Sequence, residues 1–267
     1  MGAKPRGSRN LPCADNVPPP EILRGPRSMN LLILQHARVE HPGIFRDFFQ
    51  EDGFRTHTVE LDEGETIPNL EPFDLMVVMG GPQDVWQEDE HPWFVPEKEA
   101  IRTWVADMQR PYLGICLGHQ LLADALGGRV TPANIPEVGV LTVSKTKAGE
   151  SDPVTRTLPD PLNVLQWHGA EVVEAPAGST VLVSSGVCPI QAFRYGKHAY
   201  GMQFHVEVTE ETVRNWAEIP EYASALADAL GPEALPVFDK QVNAELPRFK
   251  QNARTLYDSL KAVWAKA

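Results

Sequence analysis

Residues 111–120 of the chain read PYLGICLGHQ, and in them an apolar run gives way to a helical pattern at a cysteine that lies between two glycines. The run YLGIC has the length of a strand, and HQLLADALGG after it has the spacing of a helix that stops at a Gly-Gly pair. If the cysteine only filled a core, the neighbouring glycines would increase the conformational entropy lost on folding without adding any packing. The stretch therefore predicts a nucleophile elbow, in which a tight turn between strand and helix exposes Cys116.

The segments before this stretch repeat the alternation of strand and helix. Three apolar runs of strand length are NLLILQHA from residue 30, FRTHTVEL from residue 54 and FDLMVVMGGP from residue 73, whereas IFRDFFQEDG and residues 94–109 carry helical patterns. Buried strands that alternate with helices predict an α/β fold with a doubly wound, mostly parallel sheet. In such a sheet, ligands bind beyond the carboxyl ends of the strands, where the turns MGGP and GICLG both lie.

The chain divides by its pattern into three parts. Residues 1–28 are rich in proline, glycine and basic residues without periodicity, so we expect a disordered N-terminal tail. Residues 29–230 form the predicted domain, in which several β-rich runs between residues 138 and 207 extend the alternating part and helices follow. Residues 231–267 form a predicted C-terminal helical extension packed on the domain, because apolar residues recur there at helical spacing.

Composition limits the class of protein. A chain of 267 residues, 42% of them apolar, can bury a substantial core, and its formal net charge of -12 disfavours nucleic acid as a partner. No apolar run approaches the roughly 20 residues that span a bilayer, and no secretory signal is evident, so we expect a cytoplasmic protein without a membrane partner. The three cysteines lie far apart, which predicts no disulfide framework, and we expect no metal and no cofactor.

The predicted turn would make Cys116 reactive. The positive end of a helix dipole favours a thiolate over a thiol at the helix N-terminus. The backbone N–H of Leu117 is directed toward the same site and can donate to an oxyanion. A buried structural cysteine is the alternative interpretation, and the position of Cys116 at the carboxyl end of a predicted central strand disfavours it.

A cysteine nucleophile needs a partner that transfers protons, and the segment FHVE at residues 204–207 contains one. His205 and Glu207 are two residues apart in an extended run, so they face the same side and the carboxylate can orient the imidazole. Val206 points the other way, into the core. A His-x-Glu pair alone is more often a polar pair facing solvent, and its combination with the elbow is what indicates catalysis.

The G-x-C-x-G-x-Q elbow and the later His-x-Glu together resemble the class I (triad) glutamine amidotransferases. The resemblance extends from Met29 to about residue 217 and is strongest for stand-alone members similar to the glutaminase domain of GMP synthase. It implies a flavodoxin-like fold with Cys116 as the nucleophile, His205 as the general acid and base, and Glu207 as the residue that orients the imidazole.

The same resemblance implies roles for residues around the nucleophile. The turn MGGPQD is similar to the second oxyanion loop of the family, which puts the backbone N–H of Gly81 opposite that of Leu117. Gln120 corresponds to the glutamine that ends the elbow motif and helps to hold the substrate. His168, in the segment WHG, resembles a residue beside the amino-acid end of the substrate.

Two positions depart from the family pattern. Val206 stands where proline is frequent, and Ala170 stands where an acid is common, so a charged partner for the substrate is missing or comes from elsewhere in the chain. The chain also has neither a Walker-type phosphate loop nor a second domain that would consume ammonia. The resemblance therefore implies a synthetase partner that accepts ammonia, or a different reaction.

The implied reaction is attack of the Cys116 thiolate on the side-chain carboxamide of glutamine, which gives a γ-glutamyl thioester and ammonia and then, with water, glutamate. Two alternatives stay open. A γ-glutamyl hydrolase or peptidase would use the same triad on a larger γ-glutamyl amide and would need no ammonia acceptor. A catalytically silent binding protein would keep the fold without the chemistry.

Overall fold

A computed structural model describes residues 1–2 and 29–266 of the chain. The predicted tail, residues 1–28, thus lies outside the described residues except for its first two. Nine strands form one sheet in the described part, in the order β2-β1-β3-β4-β9-β8-β7-β5-β6. Their bounds are β1 Asn30–Gln35, β2 Arg55–Glu60, β3 Leu75–Val78, β4 Tyr112–Ile115, β5 Arg129–Lys145, β6 Leu162–Glu174, β7 Ser179–Ser184, β8 Ala192–Tyr195 and β9 Ala199–Met202.

Six α-helices accompany the sheet in the same part of the chain. They are α1 Phe45–Glu51, α2 Phe94–Arg102, α3 Leu117–Ala125, α4 Thr212–Trp216, α5 Pro220–Leu230 and α6 Leu235–Trp264. The helical pattern predicted over residues 94–109 is divided, since α2 passes into a π-helical turn at Thr103–Asp107. Among the described helices, none combines the length and the apolar character needed to cross a bilayer.

Five neighbouring strands, β2, β1, β3, β4 and β9, are parallel, and the remaining strands join them in antiparallel pairs. The register sets Val78 beside Gly114 and Ile115 beside Met202. The carboxyl ends of β3, β4 and β9 therefore meet at one edge, which is where a doubly wound sheet binds its ligands.

Alternate residues of the central strands face two separate cores. Leu31 and Ile33 of β1 pack with α1 and α6, whereas Leu32 and Leu34 pack with α2 and α3. Strands buried on both faces are apolar at every position, which is why the sequence shows continuous apolar runs there. This arrangement confirms the predicted α/β fold with a doubly wound sheet.

Parts of the three C-terminal helices pack together in a further core. A third core joins Trp167 of β6 with Trp216 of α4, Tyr222 of α5 and Phe238 of α6. Ring centroids in this cluster lie 5.3 to 5.8 Å apart, within the range of favourable aromatic pairs. The cluster fixes α4 and α5 against the region where the predicted site residues lie.

Candidate active site

The backbone turn at Cys116 has the geometry predicted for an elbow. Cys116 lies between the last residue of β4 and the first residue of α3, with φ 53° and ψ -106°. A positive φ at a residue other than glycine is uncommon and strained, and such strain is concentrated at functional sites. The strained residue is the cysteine itself.

The glycines on either side of Cys116 allow a close approach of backbone to backbone. A Cβ at Gly114 would lie 2.3 Å from the carbonyl oxygen of Gly118, and a Cβ at Gly118 would lie 2.1 Å from the carbonyl oxygen of Val78. Any side chain at either position would collide with main chain that has no room to move. The two glycines therefore let α3 start directly against β3 and β4.

His205 and Glu207 form a buried pair. Nδ1 of His205 lies 2.6 Å from Oε1 of Glu207, and the backbone N–H of Val206 donates to Oε2 at 3.0 Å. The main chain of His205 pairs with Leu165 of β6. The indole of Trp216 packs edge-on against the imidazole with centroids 4.7 Å apart. The imidazole is thus fixed in position from several sides.

The surroundings of His205 favour its protonated form. Burial by itself lowers the pKa of His205, but the charge and hydrogen bond of Glu207 and the interaction with the Cys116 side chain outweigh burial and raise this pKa well above its usual range. A protonated imidazole beside a thiol is the proton donor that a departing amine requires.

Two backbone N–H groups flank the cysteine. Gly81 lies three residues beyond the end of β3, and Leu117 is the first residue of α3; a Cβ at Gly81 would lie 2.9 Å from Cδ2 of Leu117, so the two loops touch. Among the described residues, no acceptor takes a hydrogen bond from either N–H. Both N–H groups are thus without a protein acceptor in the described part of the chain, and their role as oxyanion donors stays a prediction.

Gln120 reaches the cysteine through a residue that the sequence motifs did not indicate. Nε2 of Gln120 donates to the carbonyl oxygen of Ala170 at 3.1 Å and to Oε1 of Gln203 at 3.0 Å. Nε2 of Gln203 in turn lies 3.6 Å from Sγ of Cys116. Residues 203, 205 and 207 are spaced by two along the sequence, and this spacing is the signal that includes Gln203 with His205 and Glu207.

His168 borders the same cleft, but its ring nitrogens both face protein acceptors. Nε2 lies 3.1 Å from Oε2 of Glu137 and Nδ1 lies 2.9 Å from the carbonyl oxygen of Ala170. Glu137 is itself held by Nε2 of Gln191 at 2.6 Å. This geometry gives His168 a role in holding the segment through Ala170, and its contact with substrate stays a prediction.

The cleft above Cys116 has a volume of about 350 Å³. Gly81, Leu117, Gln120 and His168 line it with Cys116, and α5 closes one side. Among the described residues, its lining includes two acids, Asp84 and Glu221, and no lysine or arginine. The other lining residues are Pro82, Gln83, Trp86, Gln87, Pro132, Trp167, Gly169, Ala170, Tyr222 and Ala225. The charged side chains among these lining residues are thus acidic.

A further buried carboxyl group lies near His205 and Glu207. Glu40, only 1% exposed, accepts a hydrogen bond through Oε1 from the hydroxyl of Tyr222, whereas its Oε2 has no partner among the described residues. Burial raises the pKa of Glu40 to about 7, although the nearby His205 and the Tyr222 hydroxyl act in the opposite direction. No local pattern in the sequence signals this group.

Replacing Glu40 with glutamine should make stability less dependent on pH. Because the pKa in the folded state, about 7, lies above the ordinary value of 4.5, stability from the neutral acid is complete below about pH 4.5 and is lost as the pH rises through 7. The Glu40→Gln variant avoids this loss. The difference in free energy of unfolding between variant and wild type should therefore rise, in favour of the variant, by about 2 to 3 kcal/mol from about pH 5 to about pH 8. Urea unfolding at the two pH values measures the difference, with the exposed Glu63→Gln as the matched control. An equal difference at both pH values would contradict the prediction.

The chain also resembles known proteins, and the likeness covers Cys116, His205 and Glu207. A family model described as glutamine amidotransferase class-I matches residues 46–215. The chain belongs to the class I glutamine amidotransferases. The family predicted from the elbow and the His-x-Glu motif is therefore confirmed. Trp216 and Tyr222, which pack around His205 and Glu40, lie just beyond the matched range.

Individual relatives and a solved structure agree with this membership. The glutamine amidotransferase-like protein YfeJ of Salmonella typhimurium is 32% identical over 206 residues, which cover 76% of this chain and 85% of that protein. One subunit of the glutamine-hydrolysing GMP synthase of Sulfolobus acidocaldarius is 36% identical over 151 residues, 56% of this chain and 76% of that relative. The crystal structure of a glutamine amidotransferase from Thermotoga maritima has a TM-score of 0.77 at 30% identity and covers 87% of this chain and 97% of its own. The roles of the individual residues of this amidotransferase stay predictions.

Proposed function

We propose that this amidotransferase hydrolyses the side-chain amide of glutamine through a γ-glutamyl thioester on Cys116 and releases glutamate and ammonia. The observation that carries the proposal is the fixed, buried His205–Glu207 pair beside a cysteine held at a strained elbow. Covalent acyl transfer requires a nucleophile, a nearby proton carrier and an acid that orients the carrier, and this arrangement supports the proposal.

The first half of the reaction breaks the carbon–nitrogen bond of the amide. The sulfur of Cys116 attacks the carboxamide carbon, and the N–H groups of Gly81 and Leu117 stabilise the negative charge that develops on the carbonyl oxygen. The imidazolium of His205 then donates its proton to the departing nitrogen, which leaves as ammonia while the thioester forms.

The second half hydrolyses the thioester. The neutral imidazole of His205 takes a proton from water, the resulting hydroxide equivalent attacks the thioester carbon, and the carbon–sulfur bond breaks to give glutamate. The proton on His205 restores the starting state, while Glu207 keeps Nδ1 oriented throughout. No step requires a metal or an organic cofactor.

Ammonia released in this way would be used by an acceptor substrate, and we propose that a separate synthetase chain binds that acceptor. Support comes from the relative in Sulfolobus acidocaldarius, whose name describes it as one subunit of a glutamine-hydrolysing GMP synthase. By that similarity, the proposed partner would carry the substrate that ammonia aminates.

The acidic cleft supports a second candidate, hydrolysis of a larger γ-glutamyl amide. Asp84 and Glu221 border the cleft together with the exposed indole of Trp86. Two carboxylates and an indole suit the free ammonium group that a γ-glutamyl amide of a diamine keeps at its second nitrogen. This reaction would use the same cysteine chemistry and would need no ammonia acceptor.

Substrate profiling distinguishes these functions. Purified protein is incubated with glutamine and with γ-glutamyl amides whose amine portions are neutral, anionic or cationic, and glutamate release is measured with Cys116→Ala as the blank. We expect the highest kcat/KM for glutamine. Preference for the larger amides would replace the proposal with the second candidate, and no cleavage of any amide, with or without candidate synthetases, would favour a silent binding protein.

A further inference from the structure

A histidine outside the triad occupies a position behind the oxyanion loop. His36 is the first residue after β1 and is fully buried. Its Nδ1 lies 3.0 Å from the carbonyl oxygen of Gly80, and its Nε2 lies 2.9 Å from Oε1 of Glu97 in the first turn of α2. Glu97 is also fully buried. Neither residue is part of the proposed proton transfer.

The carbonyl that His36 contacts and the proposed oxyanion donor belong to one peptide group. The C=O of Gly80 and the N–H of Gly81 are joined by a trans peptide bond and point in opposite directions. A hydrogen bond to the carbonyl oxygen therefore fixes the direction of the N–H on the other side. Nε2 of Gln83 donates to the carbonyl oxygen of His36 at 3.1 Å and further ties the loop to this residue.

The His36–Glu97 pair is arranged to place a positively charged hydrogen-bond donor next to the carbonyl oxygen of Gly80. Both ring nitrogens of His36 face acceptors, so both act as donors when the ring is protonated. Burial alone lowers the pKa of His36, but the charge and hydrogen bond of Glu97, followed by the bond to Gly80, outweigh it and raise this pKa. A charged donor at a carbonyl oxygen polarises the amide, and a polarised amide is a stronger hydrogen-bond donor through its N–H.

Stability is a weak reason for such a pair. A buried ion pair loses so much hydration that apolar residues of similar volume often serve the fold as well or better. Instead, the contacts run from Glu97 through the His36 ring to the carbonyl oxygen of Gly80, so they place the imidazolium charge next to the loop that borders Cys116. A Cβ at Gly81 would lie 2.8 Å from Cβ of His36, so this side chain also sets how closely the loop can approach β1.

We propose that Glu97 and His36 are positioning residues for the oxyanion hole: Glu97 holds the His36 imidazolium, which orients and polarises the Gly80–Gly81 peptide so that the N–H of Gly81 meets the oxyanion. This inference rests on the proposed amide hydrolysis. Its effect belongs to the tetrahedral state, in which the carbonyl oxygen becomes negative, and not to substrate binding or to the reactivity of the thiol.

Three variants separate the charge from the hydrogen bond. Glu97→Gln keeps the shape and removes the carboxylate, and His36→Asn keeps a neutral amide donor near the position of Nδ1. His36→Leu removes the donor altogether. We expect kcat to fall by about 10-fold in the first two and by about 10²-fold in the third, because one oxyanion donor is worth about 10²- to 10³-fold in rate. KM should stay within about threefold of the wild type, as for an interaction made in the transition state.

The rate at which iodoacetamide alkylates Cys116 distinguishes oxyanion positioning from a merely structural role, because general disturbance of the site would slow alkylation as well. This displacement occurs at a saturated carbon and develops no carbonyl oxyanion, so its rate should be unchanged in all three variants. Partial rescue by His36→Asn relative to His36→Leu is also expected. The inference is overturned if kcat is unchanged in Glu97→Gln, or if alkylation slows as much as turnover.

Polarisation of the Gly80–Gly81 peptide by His36 can be tested without measuring turnover, by NMR of the ligand-free protein labelled with ¹⁵N. We expect the His36 ring nitrogens of the wild type to show the imidazolium form and the Gly81 amide proton to shift upfield in Glu97→Gln. Unchanged Gly81 and ring signals would overturn the inference even if the wild type hydrolyses glutamine. Conversely, a wild type that cleaves no γ-glutamyl amide but shows these shifts would refute the proposed function and leave the polarised peptide established.

Discussion

Replacing Cys116 with alanine is expected to reduce kcat for glutamine hydrolysis by about 10⁴-fold or more. The variant keeps the cleft, the oxyanion donors and the His205–Glu207 pair, but no thioester can form. Only the background rate from binding and oxyanion stabilisation would be left, as when the nucleophile of a catalytic triad is removed. Ammonia release from wild type and variant at equal concentration measures the loss.

Cys188→Ala is the matched control for this experiment. Cys188 is a second buried cysteine, and burial raises the pKa of its thiol to about 12, so almost none is ionised near neutral pH. The control should retain wild-type turnover. An electrophile shaped like glutamine should also label Cys116 and spare Cys188. Labelling of Cys188, or activity that survives Cys116→Ala, would contradict the assignment of the nucleophile.

The parts of this fold that could be predicted depend on local pattern. The apolar runs at β1, β3 and β4 have the length of strands buried on both faces, and their alternation with helical patterns predicted a doubly wound sheet. The elbow was predictable because two glycines and a cysteine lie within five consecutive residues. The spacing of two between His205 and Glu207 made their contact predictable, since side chains alternate along an extended segment.

The residues that escaped prediction depend on contacts between distant segments. His36 and Glu97 are 61 residues apart, and Glu40 and Tyr222 are 182 residues apart. Such pairs leave no periodicity, because each partner is placed by a different strand or helix. A single histidine or acid in a loop is more often a solvated side chain, so its burial beside the site became evident only from the fold.

The function of the elbow glycines also became specific only in three dimensions. The sequence suggested that they give room for a turn, and the structure identifies the atoms that need the room, the carbonyl oxygens of Gly118 and Val78. The left-handed backbone that glycine usually provides is instead adopted by Cys116. The elbow motif predicts a tight turn at Cys116, and the backbone angles show that the cysteine itself bears the strain.

Replacing His205 with glutamine is expected to lower kcat by about 10³-fold, within the range for loss of a general acid and base. The amide of glutamine cannot donate a proton to departing ammonia or accept one from water, so both halves of the reaction should slow. Since the imidazolium also lies beside the Cys116 sulfur, alkylation of Cys116 by iodoacetamide at neutral pH should slow as well, whereas Glu97→Gln should leave it unchanged. This contrast separates proton transfer from oxyanion stabilisation.

A second variant, Glu207→Gln, tests the same proton carrier through the direction in which the pH profile moves. Glu207 is the main group that raises the pKa of His205 against the effect of burial, so Glu207→Gln should lower that pKa and move the upper limb of the kcat profile of the wild type to lower pH. The exposed His57→Gln serves as the control and should reproduce the profile of the wild type. If the limb stays in place in Glu207→Gln, or if His205→Gln retains turnover, His205 cannot be the proton carrier, because a group that donates in one half-reaction and accepts in the other must impose its own titration on the rate.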